Sequence, residues 1–109
     1  MNMTKFISVC RRDEMAEGEA RLFVVEDRQI AVFLQQGSFF ALDNECPHAG
    51  ASLAHGIIQA GTVRCRIHHW RFRICDGKYL DADEPRHNVR SYQTRIVGGE
   101  VQVACGELT

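Results

Sequence analysis

Two pairs of metal-ligating residue types, Cys46 with His48 and Cys65 with His68, stand at the ends of the stretch CPHAGASLAHGIIQAGTVRCRIH, separated by the sixteen residues 49–64. If both pairs serve one site, the chain must fold back on itself over this stretch, which restricts its topology before any periodicity is considered. Pro47 fixes its own φ and holds Cys46 extended, so the directions of the Cys46 and His48 side chains are preset. Gly50 and Gly56 permit bends that a β-carbon would resist. The C-x-x-H spacing of Cys65 and His68 lets one tight turn point both side chains the same way. A lone Cys or His is ordinarily a core thiol or a surface imidazole. Two pairs, each in its own turn context, argue against that reading.

Facing loops would offer sulfur, nitrogen, sulfur and nitrogen. Tetrahedral zinc binds such a set. So does a 2Fe–2S cluster with two thiolates on one iron and two imidazoles on the other. Zinc fingers usually place Cys with Cys and His with His. Here each loop carries one of each, which suits a cluster whose two irons must both be reached from both loops.

The rest of the chain reads as all-β. FISVC (6–10) is a short strand, and 14–20 is a polar loop. A meander follows, with strands over 21–26, 29–35 and 38–42 and turns at Asp27-Arg28 and Gln36-Gly37. Gly98-Gly99 between alternating runs marks a tight hairpin within 92–104. Strand fragments lie at 62–67 and 71–80, with a turn at Asp76-Gly77. No segment sustains a 3.6-residue apolar period, so helix content should be low. The expected architecture is an antiparallel β-sandwich or barrel with long excursions at 44–70 and 81–91, and a bound metal would give the first a reason to be ordered.

The 109 residues fit one domain, 1–109, with no repeat or linker. A formal net charge of −1 suggests neither nucleic acid nor an anionic membrane as partner. No apolar run reaches the roughly 20 residues of a membrane span, and MNMTKFISVCRRDE does not read as a signal peptide. The expected location is the reducing cytoplasm, where five cysteines are free thiols and metal ligands rather than a disulfide framework. Cys10, Cys75 and Cys105, in apolar strand contexts, are expected to be buried thiols.

C-P-H (46–48) followed by C-R-I-H (65–68) resembles the Rieske iron–sulfur motif, C-x-H…C-x-x-H. The contexts ALDNECPHAGASLAHG, HHWRFRICDGKYLDADEP and YQTRIVGGEVQV extend the likeness to soluble Rieske-type ferredoxins over nearly the whole chain. The resemblance implies a base domain and a small cluster-binding subdomain, about 44–80, holding one 2Fe–2S cluster. It makes Cys46 and Cys65 the thiolate ligands and His48 and His68 the imidazole ligands. Pro85 falls where the family has a third loop covering the cluster. With neutral imidazoles the oxidised cluster is uncharged, so accepting an electron costs less than in an all-cysteine cluster. The electron should settle on the His-ligated iron, with His48 or His68 as its exit. The disulfide of the respiratory branch would need cysteines where Ala51 and Ile67 stand, and its hydroxyl donors are replaced by Trp70 and Phe72. Those departures imply a potential at the low end of the Rieske range, on the order of −150 mV.

The neighbouring residues are read more plainly. His69 follows His68 where relatives often have Gly, and is a solvated loop residue or the rival ligand. His55 and His87 are read as surface histidines, and Trp70 as a shield for the cluster. Arg64, Arg66, Arg71 and Arg73 form either a dock for an acidic partner or a solvated face balanced by 13–19 and 81–84; the second is favoured.

The function implied is a monomeric one-electron carrier between an NAD(P)H-dependent flavoprotein reductase and a terminal oxygenase. The stretch has no room for a flavin, nicotinamide or mononuclear-iron domain. The alternatives are a Rieske subunit of another reductase, similar to the nitrite reductase small subunit, and a zinc-stabilised structural module.

Overall fold

The computed structural model describes residues 3–48, 50–67 and 69–108. Among them ten strands run in the order β1 (Met3–Arg11), β2 (Ala20–Val25), β3 (Arg28–Gln35), β4 (Ser38–Asp43), β5 (Ile57–Gln59), β6 (Thr62–Arg64), β7 (Arg71–Arg73), β8 (Ser91–Tyr92), β9 (Thr94–Val97) and β10 (Glu100–Leu108). They form three antiparallel sheets, ordered β1-β10-β9, β2-β3-β4-β8 and β5-β6-β7. The described helical residues are three short 3-10 turns, Arg12–Glu14, Leu53–His55 and Pro85–His87. No described helix is long and apolar enough to cross a membrane.

Strand β3 explains the layering. Its run IAVFL, 30–34, is apolar at every position, the pattern of a strand covered on both faces. Alternation sends Ile30, Val32 and Leu34 into a core with Phe39, Ala41, Tyr92, Val101 and Val103, between the second sheet and the first. Ala31 and Phe33 point the other way, into a second core with Leu42, Leu53, Val63, Phe72, Ile74, Tyr79 and Val89. Cys46 and Cys65 belong to this second core, under the small third sheet. Each fully buried Phe or Ile contributes about 1.5–3 kcal/mol, so β3 stabilises both layers at once.

Three turns set the registers. Gln36-Gly37, with φ of 52° and 76°, and Gly98-Gly99, with 59° and 81°, join their strands as expected from sequence. The first turn sits one residue earlier than expected. Val25 pairs with Arg28, leaving Glu26-Asp27 as the two-residue loop, both with positive φ (49° and 69°). That geometry favours Asp over Arg, and Arg28 becomes the first residue of β3, its guanidinium 6.0 Å from the Tyr92 ring. Two further boundaries differ. β1 is longer than 6–10 because β10 pairs with it from Met3 to Arg11. The fragments 62–67 and 71–80 shrink to three residues each, because the chain leaves the sheet to form the loop between β6 and β7.

Candidate metal centre

The first loop leaves β4 at Asp43 and is built around Asn44, whose exposure is only 2%. The Asn44 backbone N–H donates to the Gln29 carbonyl at 2.9 Å, and its carbonyl accepts from Leu53 N–H at 2.7 Å. Its side-chain Oδ1 accepts from Ser52 Oγ at 3.0 Å and Ala54 N–H at 2.9 Å. Cys46 sits inside this frame. Its N–H donates to the Ala51 carbonyl at 2.9 Å, and its carbonyl accepts from Gly50 N–H at 2.8 Å. The thiol is thereby turned into the core, while Pro47 and His48 are exposed at the rim.

The second loop follows β6. Cys65 N–H donates to the Trp70 carbonyl at 2.8 Å, which closes the loop at its base. Cys65 is fully buried. Burial pushes its thiol pKa up, the Ile67 backbone N–H pulls it down, and contact with the Cys46 thiol pushes it up again. Cys46 and Cys65 are both fully buried in the same apolar cluster, one from each loop. His68 lies outside the described residues. His69 takes a positive φ of 62°, a conformation that costs a non-glycine residue about 1–2 kcal/mol.

A third segment closes the site. Tyr79 N–H donates to Asn88 Oδ1 at 2.9 Å and Val89 N–H to the Gly77 carbonyl at 2.8 Å, so the turn Pro85–His87 packs beside the first two loops. An aromatic stack joins all three. The His48 ring lies on Trp70 with centroids 4.2 Å apart and planes 15° from parallel. Tyr79 and His87 also pack against Trp70, with ring centroids 4.6 and 4.8 Å away.

Cys46 and His48 thus stand on the first loop and Cys65 on the second, and Trp70 stacks on one face of His48, which stays exposed. Other expectations need correction. His87 is half-buried against Trp70 and Tyr79 rather than a surface residue. Cys105 is buried, but Cys10 is half-buried and Cys75 is exposed, because 74–76 form a turn instead of continuing β7. Arg71 pairs with Asp81 at 2.8 Å, Arg73 with Asp76, and Arg66 donates to the His55 carbonyl. These local partners favour the solvated, balanced face over a docking patch. Sequence reasoning overlooked Asn44, Tyr79 and His87. Asn44 carried a faint signal, since Asn in a loop commonly bonds nearby backbone. Nothing in the spacing pointed to the other two.

The profile of the Rieske [2Fe-2S] domain matches residues 5–93. The chain belongs to the Rieske [2Fe-2S] domain family. This Rieske chain is 32% identical over 108 residues to the ferredoxin component of the p-cumate 2,3-dioxygenase system of Pseudomonas putida, covering 97% of this chain and 91% of the relative. It is 29% identical over 99 residues to the ferredoxin component of the naphthalene 1,2-dioxygenase system of Pseudomonas aeruginosa, covering 91% and 94%. Among solved structures it resembles the ferredoxin of carbazole 1,9a-dioxygenase from Nocardioides aromaticivorans IC177, with a TM-score of 0.84 and 28% identity over 93% of this chain and 98% of that one. A ferredoxin solved in complex with the oxygenase of carbazole 1,9a-dioxygenase gives a TM-score of 0.83 and 25% identity, covering 95% and 96%. A Mycobacterium tuberculosis chain described as an NADH-dependent nitrite reductase small subunit gives 0.83 and 30%, covering 94% and 96%.

The residues present fit the family's 2Fe–2S group. Cys46 and Cys65 are fully buried in one apolar cluster, and burial raises the Cys65 thiol pKa, which disfavours the thiolate. A bound cation reverses that preference, since a coordinating thiol gives up its proton. An imidazole stands at the rim of the same loops.

The frame around Asn44 can be tested directly. Asn44→Ala strands the half-buried Ala54 N–H and Ser52 hydroxyl, and is expected to lower stability by about 2 kcal/mol in urea unfolding. Ser52→Ala removes one bond from a half-buried position and should cost about 1 kcal/mol.

Proposed function

We propose that this chain is a ferredoxin, a one-electron carrier that receives an electron from an NAD(P)H-dependent flavoprotein reductase and delivers it to a terminal oxygenase. The observation that carries the reading is likeness to ferredoxin components along nearly their whole length: the match spans 91% of the p-cumate relative and 94% of the naphthalene relative. A ferredoxin relative has been solved in complex with its oxygenase, which supports the same class of partner here.

In this reading residues 44–80 form the cluster-binding subdomain, with Cys46 and Cys65 as thiolate ligands and His48 and His68 as imidazole ligands. The bound 2Fe–2S group supplies reversible one-electron chemistry. The chain's own residues bury the thiol side, expose the imidazole side at His48 and exclude water through Trp70 and Tyr79. Trp70 and Phe72 offer no hydroxyl donors, so the potential belongs near the low end of the Rieske range, on the order of −150 mV. The protein is taken to be cytoplasmic and monomeric.

The test is electron paramagnetic resonance on anaerobically purified, dithionite-reduced protein, with iron, sulfide and zinc assayed on the same sample. A Rieske-type signal with about two irons and two sulfides per chain is expected. One zinc and no sulfide, in protein from iron-supplied cells, would overturn the redox reading. A second reading, a small subunit of a nitrite reductase, rests on the Mycobacterium tuberculosis structure, which is as similar in fold as the ferredoxins. Reoxidation of the reduced protein by a sirohaem reductase but not by an oxygenase would favour it.

A further inference from the structure

We infer that Trp70 is a positioning residue: its indole face fixes the ring plane of His48, and His87 and Tyr79 hold the indole in place. The inference rests on the reading of His48 as a ligand and goes beyond it, because it assigns the control of that ligand to residues outside the Cys/His motif.

Trp70 belongs to the second loop through its backbone, where its carbonyl accepts the Cys65 N–H at 2.8 Å. Its side chain belongs to the first loop, lying on His48 at 4.2 Å and 15°. The stacked imidazole cannot turn about its Cβ–Cγ bond without giving up the indole face. Two further rings pack against Trp70. Tyr79 is buried, tilted 39° to the indole, and fixed by the Asn88 side chain. His87 meets Trp70 edge-on at 62° and Tyr79 at 81° and 5.4 Å. Offset-stacked and edge-to-face contacts are the favoured arrangements of aromatic rings, so the indole has a defined seat. One indole therefore couples the first loop, the second loop and the Pro85–His87 turn. Groups that orient a metal-bound imidazole commonly affect metal retention about tenfold or more, which gives such a contact a measurable consequence.

A purely space-filling role for Trp70 makes different predictions. In cluster-loaded protein, Trp70→Leu keeps apolar bulk but removes the flat face. Its reduced resonance signal should be shifted and broadened, and cluster release to a chelator should be faster by about tenfold. Trp70→Phe restores a face and should return both readouts towards wild type. His87→Ala deletes only a supporting ring and should change both in the same direction by less. A second readout needs no cluster. Trp70 is the single tryptophan, so its emission in the iron-free chain reports the seat, and His48→Ala and His87→Ala should each change it.

If folded Trp70→Leu keeps the wild-type line shape and release rate, the inference is overturned. If that variant does not fold, wild-type line shape and release in His87→Ala, together with unchanged Trp70 emission in iron-free His48→Ala and His87→Ala, overturn it instead. A Rieske-type signal that survives His48→Ala would sink the ligand reading itself. Loss of the signal in His48→Ala with silence in the Trp70 variants would sink only the positioning role.

Discussion

Cys65→Ala is expected to leave a folded β protein that holds no cluster. Iron should fall from about two per chain to near zero, and the Rieske-type signal should vanish. Cys46→Ala should do the same. Both thiols are buried in one core, and in the proposed ligand set removing either deletes one of the two anionic ligands. The fold should survive because Cys is a small side chain here. Alanine at position 65 loses one sulfur's contacts in a core otherwise made by Phe33, Leu53, Val63 and Phe72. Circular dichroism with the β signature of the parent, beside an iron assay near zero, is the expected pair of results. His48→Ala and His68→Ala are expected to abolish the Rieske-type signal, because the unlike ligation of the two irons depends on them. His55→Ala should leave it intact, since His55 is exposed on the Leu53–His55 turn and its bonds to Ser52 and Arg66 are made by its backbone. Retention in His68→Ala with loss in His69→Ala would move the ligand by one residue. Full iron in Cys65→Ala would overturn the ligand set.

Features that sequence made readable are those whose physics is local. The Gly98-Gly99 and Gln36-Gly37 turns need positive φ at adjacent positions, and residue type reports that requirement directly. The double burial of β3 is visible as an uninterrupted apolar run, and the Cys/His pairs are visible because ligand chemistry limits the residue types. The Glu26-Asp27 turn was misplaced by one residue because Asp27 tolerates either turn position, and the pairing of Val25 with Arg28 decides between them. Cys75 looked like a strand residue within RFRICDGKYL, yet the short β7 ends at Arg73, where Arg73 N–H bonds the Lys78 carbonyl across the turn. Asn44, Tyr79 and His87 were hidden for another reason. Their roles consist of contacts between residues 8 to 17 positions apart in sequence, as in Asn44 with Ser52, Tyr79 with Asn88 and Trp70 with His87. Apart from the faint signal of a loop Asn at position 44, no local pattern encodes such contacts.

Gly77→Ala is expected to be the most damaging single-methyl change in the chain outside the Cys/His set. A Cβ built on Gly77 would lie 2.0 Å from the Val89 carbonyl oxygen, 3.0 Å from its carbon and 3.3 Å from Leu42 Cδ2. The first two atoms are backbone, so no side-chain rotation relieves the clash. The Val89 N–H donates to the Gly77 carbonyl at 2.8 Å, so the approach that excludes a methyl is the one this hydrogen bond requires. Alanine would also have to adopt φ +77°, at about 1–2 kcal/mol. Gly18→Ala and Gly61→Ala separate the two contributions. Both have positive φ, 85° and 77°, and neither would place a Cβ within 4 Å of another atom. Each should therefore lose only the conformational part, about 1 kcal/mol. Gly77→Ala should lose about 3 kcal/mol or more in urea unfolding, in line with changes that break buried backbone packing. Its consequences should also reach the candidate site. Displacing Val89 moves the segment that carries Asn88 and His87, and these hold Tyr79 and Trp70. The emission of Trp70 should then change in Gly77→Ala and not in Gly18→Ala or Gly61→Ala. Equal losses in all three variants would mean that the Gly77–Val89 contact relaxes freely and that the third segment does not clamp the site.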